Sequence, residues 1–270
     1  MRSHWRSALT IVVGVVFVWP LWMDLVIALG KKGDAYQLPP PWLPGWHTSS
    51  FLKVLLHTHW LNYVANSVLI TGATILLVLL TSILSGYALS QMRFRGREGI
   101  FLVTIAVMML PQQALIIPQF VLMKDLHLLN TFTGLILPFA ASSSGVFLFR
   151  QAFLQLPDAY RDVARLEGAS LGQYLRRVAV PLAKPAMVVT ILLTFISSWN
   201  MFQWPLIMAD TRRVQPIELA LSHYMQQFQS SWRELTSATV LALLPVVIVF
   251  AFTQRHIVKA VIGGDRGIVE

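Results

Sequence analysis

Residues that could carry catalytic or metal chemistry are few in this sequence and widely spaced. The 270 residues include no cysteine, which excludes disulfides, thiolate nucleophiles and cysteine-ligated metals. His57 and His59 form a His-x-His pair, but a zinc site needs at least a third protein ligand. No Gly-x-x-x-x-Gly-Lys-Ser/Thr sequence occurs, so the chain has no P-loop for ATP. We therefore expect no metal and no cofactor to be bound by this chain.

A candidate nucleophile lies in the run Ser142-Ser143-Ser144-Gly145. A serine acts as a nucleophile when a neighbouring general base accepts its proton. No histidine lies in the middle of an apolar run, and His256 comes at the end of the last one. A membrane-embedded enzyme would need this missing base or a metal set, so we predict a protein without catalytic residues.

The composition is that of a protein surrounded by lipid. Hydrophobic residues make up 56% and charged residues 12% of the chain, and the mean hydropathy is +0.63. These values do not suit a water-soluble surface. The net charge of +9 could suggest nucleic-acid binding, but the basic residues lie between apolar runs rather than on one polar face. We therefore expect contact with membrane lipid and no nucleic acid.

Six apolar runs are long enough to cross a bilayer, whose core of about 30 Å needs roughly 20 residues of helix. They lie around residues 8–29, 65–89, 100–122, 133–153, 186–208 and 237–258. The sequence therefore predicts an all-α polytopic membrane protein with six transmembrane helices, forming a single transmembrane domain over residues 1–270. Prolines at positions 20, 111, 118, 138, 205 and 245 interrupt five of the runs and are expected to kink the helices.

The distribution of basic residues predicts the orientation of these spans. With the amino terminus inside, two-thirds of the 21 lysine and arginine residues fall in the inner segments, in agreement with the positive-inside rule. Both termini and the long segment at residues 154–185 are then expected in the cytoplasm.

The first apolar run leaves two alternatives open. Arg2 and Arg6 precede it, and Ala28-Leu29-Gly30 resembles a signal-peptide cleavage site. A length of about 22 residues favours an uncleaved helix instead. Asp24 lies near the outer end of this run. An intramembrane carboxylate is a functional candidate, although an Asp at this depth is also compatible with simple solvation at the interface.

A polar solute that crosses the bundle would need hydrogen-bonding groups within the spans, because unpaired polar groups in lipid are costly. The candidates for such a pathway are Asn66, Gln112, Gln113, Ser143, Trp199, Asn200 and Gln203. Asn, Gln and Ser also form hydrogen bonds between helices, and Trp also marks the membrane interface. Both interpretations are open from the sequence.

The segment at residues 157–185 has the pattern of two short amphipathic helices. Tyr160, Val163 and Leu166 recur at helical spacing, and a second apolar face begins at Leu171. Gly168 lies between the two patterns, where a chain reversal favours a residue that tolerates positive φ. Two short helices with apolar faces need a surface on which to lie.

At these residues the sequence resembles the EAA loop of binding-protein-dependent ATP-binding-cassette (ABC) importers. The motif corresponds to Asp162-Val163-Ala164, then three residues, then Gly168-Ala169, with a later proline at Pro181. Three positions depart from the usual motif, with Asp162 for Glu, Val163 for Ala and Glu167 for Asp. The resemblance implies contact with an ATPase through Asp162, Val163, Ala164, Leu166, Glu167, Gly168, Ala169, Leu171 and Pro181.

The resemblance extends along nearly the whole chain. Asn66-Ser67, Trp199-Asn200 and Trp204-Pro205-Leu206 occur in the order typical of the smaller permease of carbohydrate and glycerol-phosphate importers. It implies a bacterial inner-membrane permease for a sugar, polyol or glycerol phosphate that works by alternating access. The implied partners are a second permease in a heterodimer, two subunits that bind ATP and Mg²⁺, and an extracytoplasmic solute-binding protein. The alternative is an ATP-independent secondary transporter or channel.

Overall fold

The computed structural model describes residues 2–227 and 232–263, and every regular element in these ranges is helical. The α-helices are α1 (Arg2–Ala28), α2 (Ser49–His57), α3 (Trp60–Gln91), α4 (Arg97–Met108), α5 (Gln112–Asp125), α6 (Phe132–Ile136), α7 (Ser143–Leu154), α8 (Asp158–Leu166), α9 (Leu171–Tyr174), α10 (Val180–Leu182), α11 (Lys184–Trp199), α12 (Gln203–Met208), α13 (Ile217–Gln227) and α14 (Trp232–Gly263). Short 3₁₀ turns lie at Asp34–Tyr36 and Leu137–Phe139, and a π-helical turn at Leu175–Ala179. The predicted all-α class is confirmed.

Three stretches within these helices are long and apolar enough to cross a membrane alone, namely Ser7–Ala28, Trp60–Gln91 and Trp232–Gln254. Three further pairs of helices qualify only together, with a bend between their members, namely Arg97–Met108 with Gln112–Asp125, Phe132–Phe139 with Ser143–Leu154, and Leu171–Leu182 with Lys184–Trp199. The number of candidate spans among the described residues reaches six if each bent pair counts as one. The predicted number of spans is therefore supported, but several are not the straight helices that the sequence suggested.

The predicted span at 100–122 is the clearest correction. Its two halves, α4 and α5, meet at a bend of 101°. Pro111 precedes α5 in an extended conformation, with φ −67° and ψ 126°. A proline has no N–H for the helix ladder and disfavours helical geometry in the residue before it. The chain therefore leaves the helix at Met109 and starts a new one at Gln112.

The predicted spans at 133–153 and 186–208 are also broken. A bend of 47° separates α6 with its 3₁₀ turn from α7, and the Ser142 side chain caps α7 by accepting from the Gly145 N–H at 3.2 Å. In the second case α11 ends at Trp199 and α12 begins at Gln203. Pro205 could not donate to the Met201 carbonyl, so one helix through both segments would lose that bond. The bent pair that qualifies in this region is Leu171–Leu182 with Lys184–Trp199, at 81°, so the candidate span begins earlier than predicted and ends at Trp199. By contrast, Pro20 and Pro245 lie inside unbroken helices.

The chain divides into two compact units, Met1–Asn66 with Gln215–Phe250 and Ser67–Val214 with Ala251–Glu270. In the first unit, the Ser50 hydroxyl donates to the Ala28 carbonyl at 2.8 Å, and Lys53 forms an ion pair with Glu234. These bonds connect α2 to the end of α1 and to the start of α14. The prediction of one domain over 1–270 stays a prediction.

In the second unit, a buried arginine joins three helices. Arg150 of α7 is only 8% exposed, and its Nη2 donates to both carboxylate oxygens of Glu98 in α4, at 3.0 and 2.9 Å. Its Nε donates to the Leu89 carbonyl of α3 at 3.1 Å, and the guanidinium lies 3.7 Å from the centroid of the Phe101 ring. A buried charge is tolerated when it is paired and hydrogen-bonded in this way.

Backbone segments approach each other very closely at Gly134 in α6. A Cβ atom at this position would lie 2.2 Å from the Leu128 carbonyl oxygen, and the Trp204 indole donates to the Gly134 carbonyl at 3.1 Å. We predict that Gly134→Ala forces this contact apart and costs about 1–3 kcal/mol through overpacking. The thermal unfolding midpoint of the purified chain in detergent should fall by several degrees.

Gly72→Ala is the matched control, since a Cβ at Gly72 of α3 meets no atom within 4 Å. Alanine also has the higher helix propensity. We expect its unfolding midpoint to be unchanged or slightly raised. A similar loss of stability in both variants would contradict the close contact at Gly134.

Candidate functional site

A cavity of about 700 Å³ lies within the second unit, here called the polar cavity. Residues of α3, α5, α7, α11 and α12 line it, together with the segments that join these helices. Val78, Phe139 and Trp204 contribute apolar surface, and most of the other lining side chains carry a hydroxyl or an amide. Such a lining binds water or a polar solute better than it binds lipid.

The lining changes in character from its buried part to its exposed part. The buried part, the floor, carries the hydroxyls of Thr74, Thr190, Thr194 and Ser198. The exposed part, the rim, carries the amides of Gln112, Gln113, Asn200 and Gln203. The rim amides lie at the starts of α5 and α12 and just after α11. The broken helices therefore bring polar side chains to this cavity.

Two of the floor hydroxyls donate hydrogen bonds to backbone carbonyls. Thr74 donates to the Ile70 carbonyl at 2.8 Å, and Thr190 donates to the Ala186 carbonyl at 2.9 Å. Their oxygen lone pairs remain as acceptors. Ser198 Oγ and Gln119 Oε1 are buried and have no hydrogen-bond partner among the described residues. Since buried polar atoms are nearly always paired, these two are the atoms most in need of an outside partner.

The polar cavity is electrically neutral in its side chains. None of the described residues that line it is Asp, Glu, Lys, Arg or His. The amino-terminal ends of α5 and α7 contribute partial positive charge, but such an end is worth only about 0.3–1 kcal/mol to an anion. The end of α7 is already capped by Ser142. Desolvating an ion costs several kcal/mol, so the helix ends alone do not make this an anion site.

Four of the seven predicted pathway residues line the polar cavity, namely Gln112, Gln113, Asn200 and Gln203. The other three do not. Asn66 belongs to the first unit, where its amide donates to the Gln215 carbonyl at 2.9 Å. Trp199 is 2% exposed and stacks on Phe195 with ring centroids 5.5 Å apart. Ser143 is half-buried beside Ser142 and Ser144, which do line the cavity.

The floor hydroxyls were missed from the sequence. Thr190, Thr194 and Ser198 repeat every four residues, a spacing that places them on one face of α11. A hydroxyl stripe in a membrane helix usually satisfies itself by bonding to the preceding turn, so it attracts little attention. The spacing was nevertheless the signal that could have identified this face.

The 157–185 segment forms the predicted helix, glycine turn and helix. Gly168 has φ +73° and separates α8 from α9. Its N–H donates to the Arg165 carbonyl at 3.0 Å, and the next N–H, of Ala169, donates to the Ala164 carbonyl at 2.9 Å. Ser170 and Gln173 then start α9 with a reciprocal capping box. The pair α8 and α9 with its turn is called the hairpin below.

The hairpin has an inner face that packs and an outer face that does not. Ala164 and Tyr174 are buried in a cluster with Tyr87 of α3 and Phe153 of α7. The exposed motif residues are Asp162, Val163, Leu166, Glu167, Gly168 and Leu171. Leu166 is 88% exposed, which gives the outer face an apolar centre.

One arginine anchors the hairpin to the end of α3. Arg161 Nη1 donates to the Gln91 backbone carbonyl at 2.9 Å and to its side-chain oxygen at 3.3 Å. The Gln91 amide in turn donates to the Phe153 carbonyl at 2.6 Å. A second cavity of about 550 Å³ lies beside this anchor, lined in part by Arg93 and Arg165.

The remaining candidates from the sequence do not gather into a further site. His59 is exposed, and the side chains of His57 and His256 lie outside the described residues. Within 2–227 and 232–263, no group of three or more His, Cys, Asp or Glu side chains is placed to hold a metal. Asp24 is half-buried in α1 of the first unit.

We predict that Arg161→Met loosens the hairpin. A hydrogen bond from a charged group contributes about 1.5–3 kcal/mol, so amide hydrogen exchange in α8 should accelerate by about tenfold or more. Arg165→Met is the matched control, because the Arg165 guanidinium lines the same cavity but has no ion pair within the described part of the chain. Equal acceleration in the two variants would show that Arg161 is not the anchor.

Known proteins resemble this chain over most of its length. Residues 78–263 match the family described as binding-protein-dependent transport system inner membrane component. The arabinooligosaccharides transport system permease protein AraQ of Bacillus subtilis (strain 168) is 36% identical over 203 residues, covering 75% of this chain and 72% of AraQ. The sn-glycerol-3-phosphate transport system permease protein UgpE of Yersinia pestis bv. Antiqua (strain Antiqua) is 28% identical over 266 residues, 95% of each chain.

Two solved structures share the fold. One is a bacterial ABC transporter involved in the import of the acidic polysaccharide alginate, in which a chain matches with a TM-score of 0.82 and 24% identity, over 94% of this chain and 95% of that one. The other is an alginate ABC transporter in complex with an alginate pentasaccharide-bound periplasmic protein, with a TM-score of 0.64 and 11% identity, over 95% and 96%.

Proposed function

This chain belongs to the family of binding-protein-dependent transport system inner membrane components and is a permease of an ABC importer, and we propose that it forms half of a pathway for a sugar, polyol or glycerol phosphate. One observation carries the proposal. The second unit contains both the polar cavity and the hairpin with an exposed apolar face. A cavity suits a solute, and an unpartnered apolar face suits a docking protein.

Two helices connect the hairpin to the polar cavity. The chain runs from the hairpin through α10 into α11, which carries Thr190, Thr194 and Ser198 along the floor. Arg161 ties the hairpin to the end of α3, which carries Thr74 to the same floor. Thr74 and Gln91 lie seventeen positions apart in α3, which corresponds to roughly 26 Å along the helix axis. A displacement of the hairpin is therefore transmitted to α3 through Arg161, and to α11 across the bend of 81° between Leu182 and Lys184.

The proposed assembly follows from this arrangement. The hairpin lies on the cytoplasmic side, with both termini, and its outer face seats Leu166 and the carboxylates of Asp162 and Glu167 in an ATP-binding subunit. Two such subunits bind ATP and Mg²⁺, and this chain contributes no catalytic residue or cofactor. A second permease completes a heterodimer, and an extracytoplasmic solute-binding protein delivers the solute. The periplasmic protein in the related alginate complex supports the last partner.

The competing function is transport without ATP, as in a secondary transporter or channel. The exposed apolar hairpin favours the importer, because a lone transporter has no need of this surface. Purification of the tagged chain in mild detergent tests the choice. We expect an ATP-binding subunit and a second permease to co-purify, whereas a chain that transports alone and without ATP would refute the importer.

We predict that Gly168→Pro abolishes the stimulation of ATP hydrolysis by the solute-binding protein. Proline fixes φ near −65° and cannot adopt the φ of +73° at this position. It also removes the N–H that donates to the Arg165 carbonyl. The measurement is ATP hydrolysis by the reconstituted importer with and without the solute-binding protein.

Gly172→Ala is the control for this prediction. Gly172 lies inside α9, and a Cβ there meets no atom within 4 Å, so stimulation should persist. The amount of permease in the membrane must be equal in both variants. Normal stimulation of the Gly168→Pro importer would show that the turn geometry is not needed for coupling.

A further inference from the structure

We infer that the polar cavity takes an uncharged, polyhydroxylated solute, and that the Ser198 hydroxyl and the Gln119 amide oxygen form hydrogen bonds with its hydroxyl groups. The inference rests on the proposed function and narrows its solute class. The named relatives carry arabinooligosaccharides in one case and sn-glycerol 3-phosphate in the other, so their names do not decide between neutral and anionic solutes. The side chains that line the cavity favour a neutral solute, for three reasons.

The first argument concerns the two unpaired atoms. Ser198 lines the polar cavity and is 6% exposed, and its buried Oγ has no hydrogen-bond partner among the described residues. Gln119 lines the same cavity, and its buried Oε1 is also unpaired there. A hydroxyl and an amide oxygen, both neutral, are therefore left for the solute to satisfy.

The second argument concerns the match between donors and acceptors. The Thr74 and Thr190 hydroxyls, which belong to lining residues, donate to backbone carbonyls, so their oxygen lone pairs are left as acceptors. A sugar hydroxyl both donates and accepts, and so pairs with these oxygens as well as with the amides of Gln113 and Asn200. A phosphate or carboxylate oxygen only accepts, so it can pair with the amide N–H groups but offers no donor to the Thr74 and Thr190 oxygens.

The third argument concerns charge. Anion sites in proteins pair the anion with Arg or Lys or with several free N–H groups, and no described lining residue is cationic. The start of α5 is the one long uncapped helix end on the described lining. Its partial charge faces a rim of exposed amides, where water screens it. The lining of this chain therefore gives an anionic solute no compensating charge.

Cysteine labelling of the complete importer in lipid tests this inference. Because the chain has no native cysteine, Ser198→Cys introduces its only thiol, and labelling of this chain is read by mass spectrometry. Three thiosulfonate reagents of similar size are compared, one neutral, one anionic with a sulfonate and one cationic with a trimethylammonium group. Each rate is divided by the rate of the same reagent with free 2-mercaptoethanol.

Ser82→Cys is the matched control. Ser82 is fully buried and its Oγ is also unpaired in the described residues, but it does not line the polar cavity. We expect the Ser198→Cys thiol to react with the neutral reagent and the Ser82→Cys thiol to react far more slowly. We also expect the corrected anionic rate at Ser198→Cys to be no higher than the neutral rate.

A cationic cavity would instead enrich the anionic reagent by about tenfold or more. That result would overturn the inference, whether the charge came from this chain or from the second permease. Failure of Ser198→Cys to react with any reagent would overturn it too. In both cases an ATP-binding subunit that still co-purifies would leave the proposed function standing, while its absence would refute the proposed function itself.

Two solute probes of opposite chemistry complete the experiment. Arabinotriose is neutral and rich in hydroxyls, and sn-glycerol 3-phosphate carries a phosphate. We expect arabinotriose at millimolar concentration to slow neutral labelling of Ser198→Cys severalfold, and sn-glycerol 3-phosphate to leave it unchanged. Stronger protection by the phosphate, or protection by neither probe, would contradict a site for neutral polyhydroxylated solutes.

Discussion

The architecture depends on one constraint: in lipid, every backbone N–H and C=O group needs a hydrogen-bond partner within the protein. Unbroken helices satisfy this need internally, and breaks are tolerated only where protein or water replaces the lost bonds. In the second unit the breaks before Gln112, around Ser142 and after Trp199 all adjoin the polar cavity. The same prolines and capping serines that interrupt the helices thus determine where the bundle is polar inside.

Charged side chains and neutral polar side chains lie in different parts of the second unit. The internal ion pairs lie toward the end of α3 that carries Gln91, where Arg150 binds Glu98 and Arg161 binds Asp158. The polar cavity has hydroxyls and amides instead. Charged groups therefore join α3, α4, α7 and α8 to one another, as in the bonds of Arg150 to Glu98 and of Arg161 to Gln91, whereas neutral hydroxyls and amides line the cavity. An importer needs tight attachment in the first place and only moderate affinity in the second.

Much of this fold could be predicted from residue patterns alone. Apolar runs gave the helical class and the candidate spans, and Gly168 between two amphipathic patterns gave the hairpin. The sequence does not tell that Pro111 ends a helix whereas Pro20 lies inside one, because both prolines occur in apolar runs. Only tertiary contacts decide which proline ends a helix. Asn66 and Trp199 were plausible pathway residues by type. Asn66 instead donates to the carbonyl of Gln215, which is far away in the sequence, and Trp199 stacks on Phe195 of its own helix. Residue types alone do not reveal such contacts.

The exposure of Leu166 has a consequence for the life of the protein before assembly. A newly inserted copy carries this leucine, 88% exposed, on a surface that no other part of the described chain covers. Such a surface attracts chaperones, proteases and other unassembled copies. If the hairpin seats in an ATP-binding subunit as proposed, the abundance of this chain is expected to depend on the supply of that subunit, because an unassembled copy leaves this apolar face uncovered.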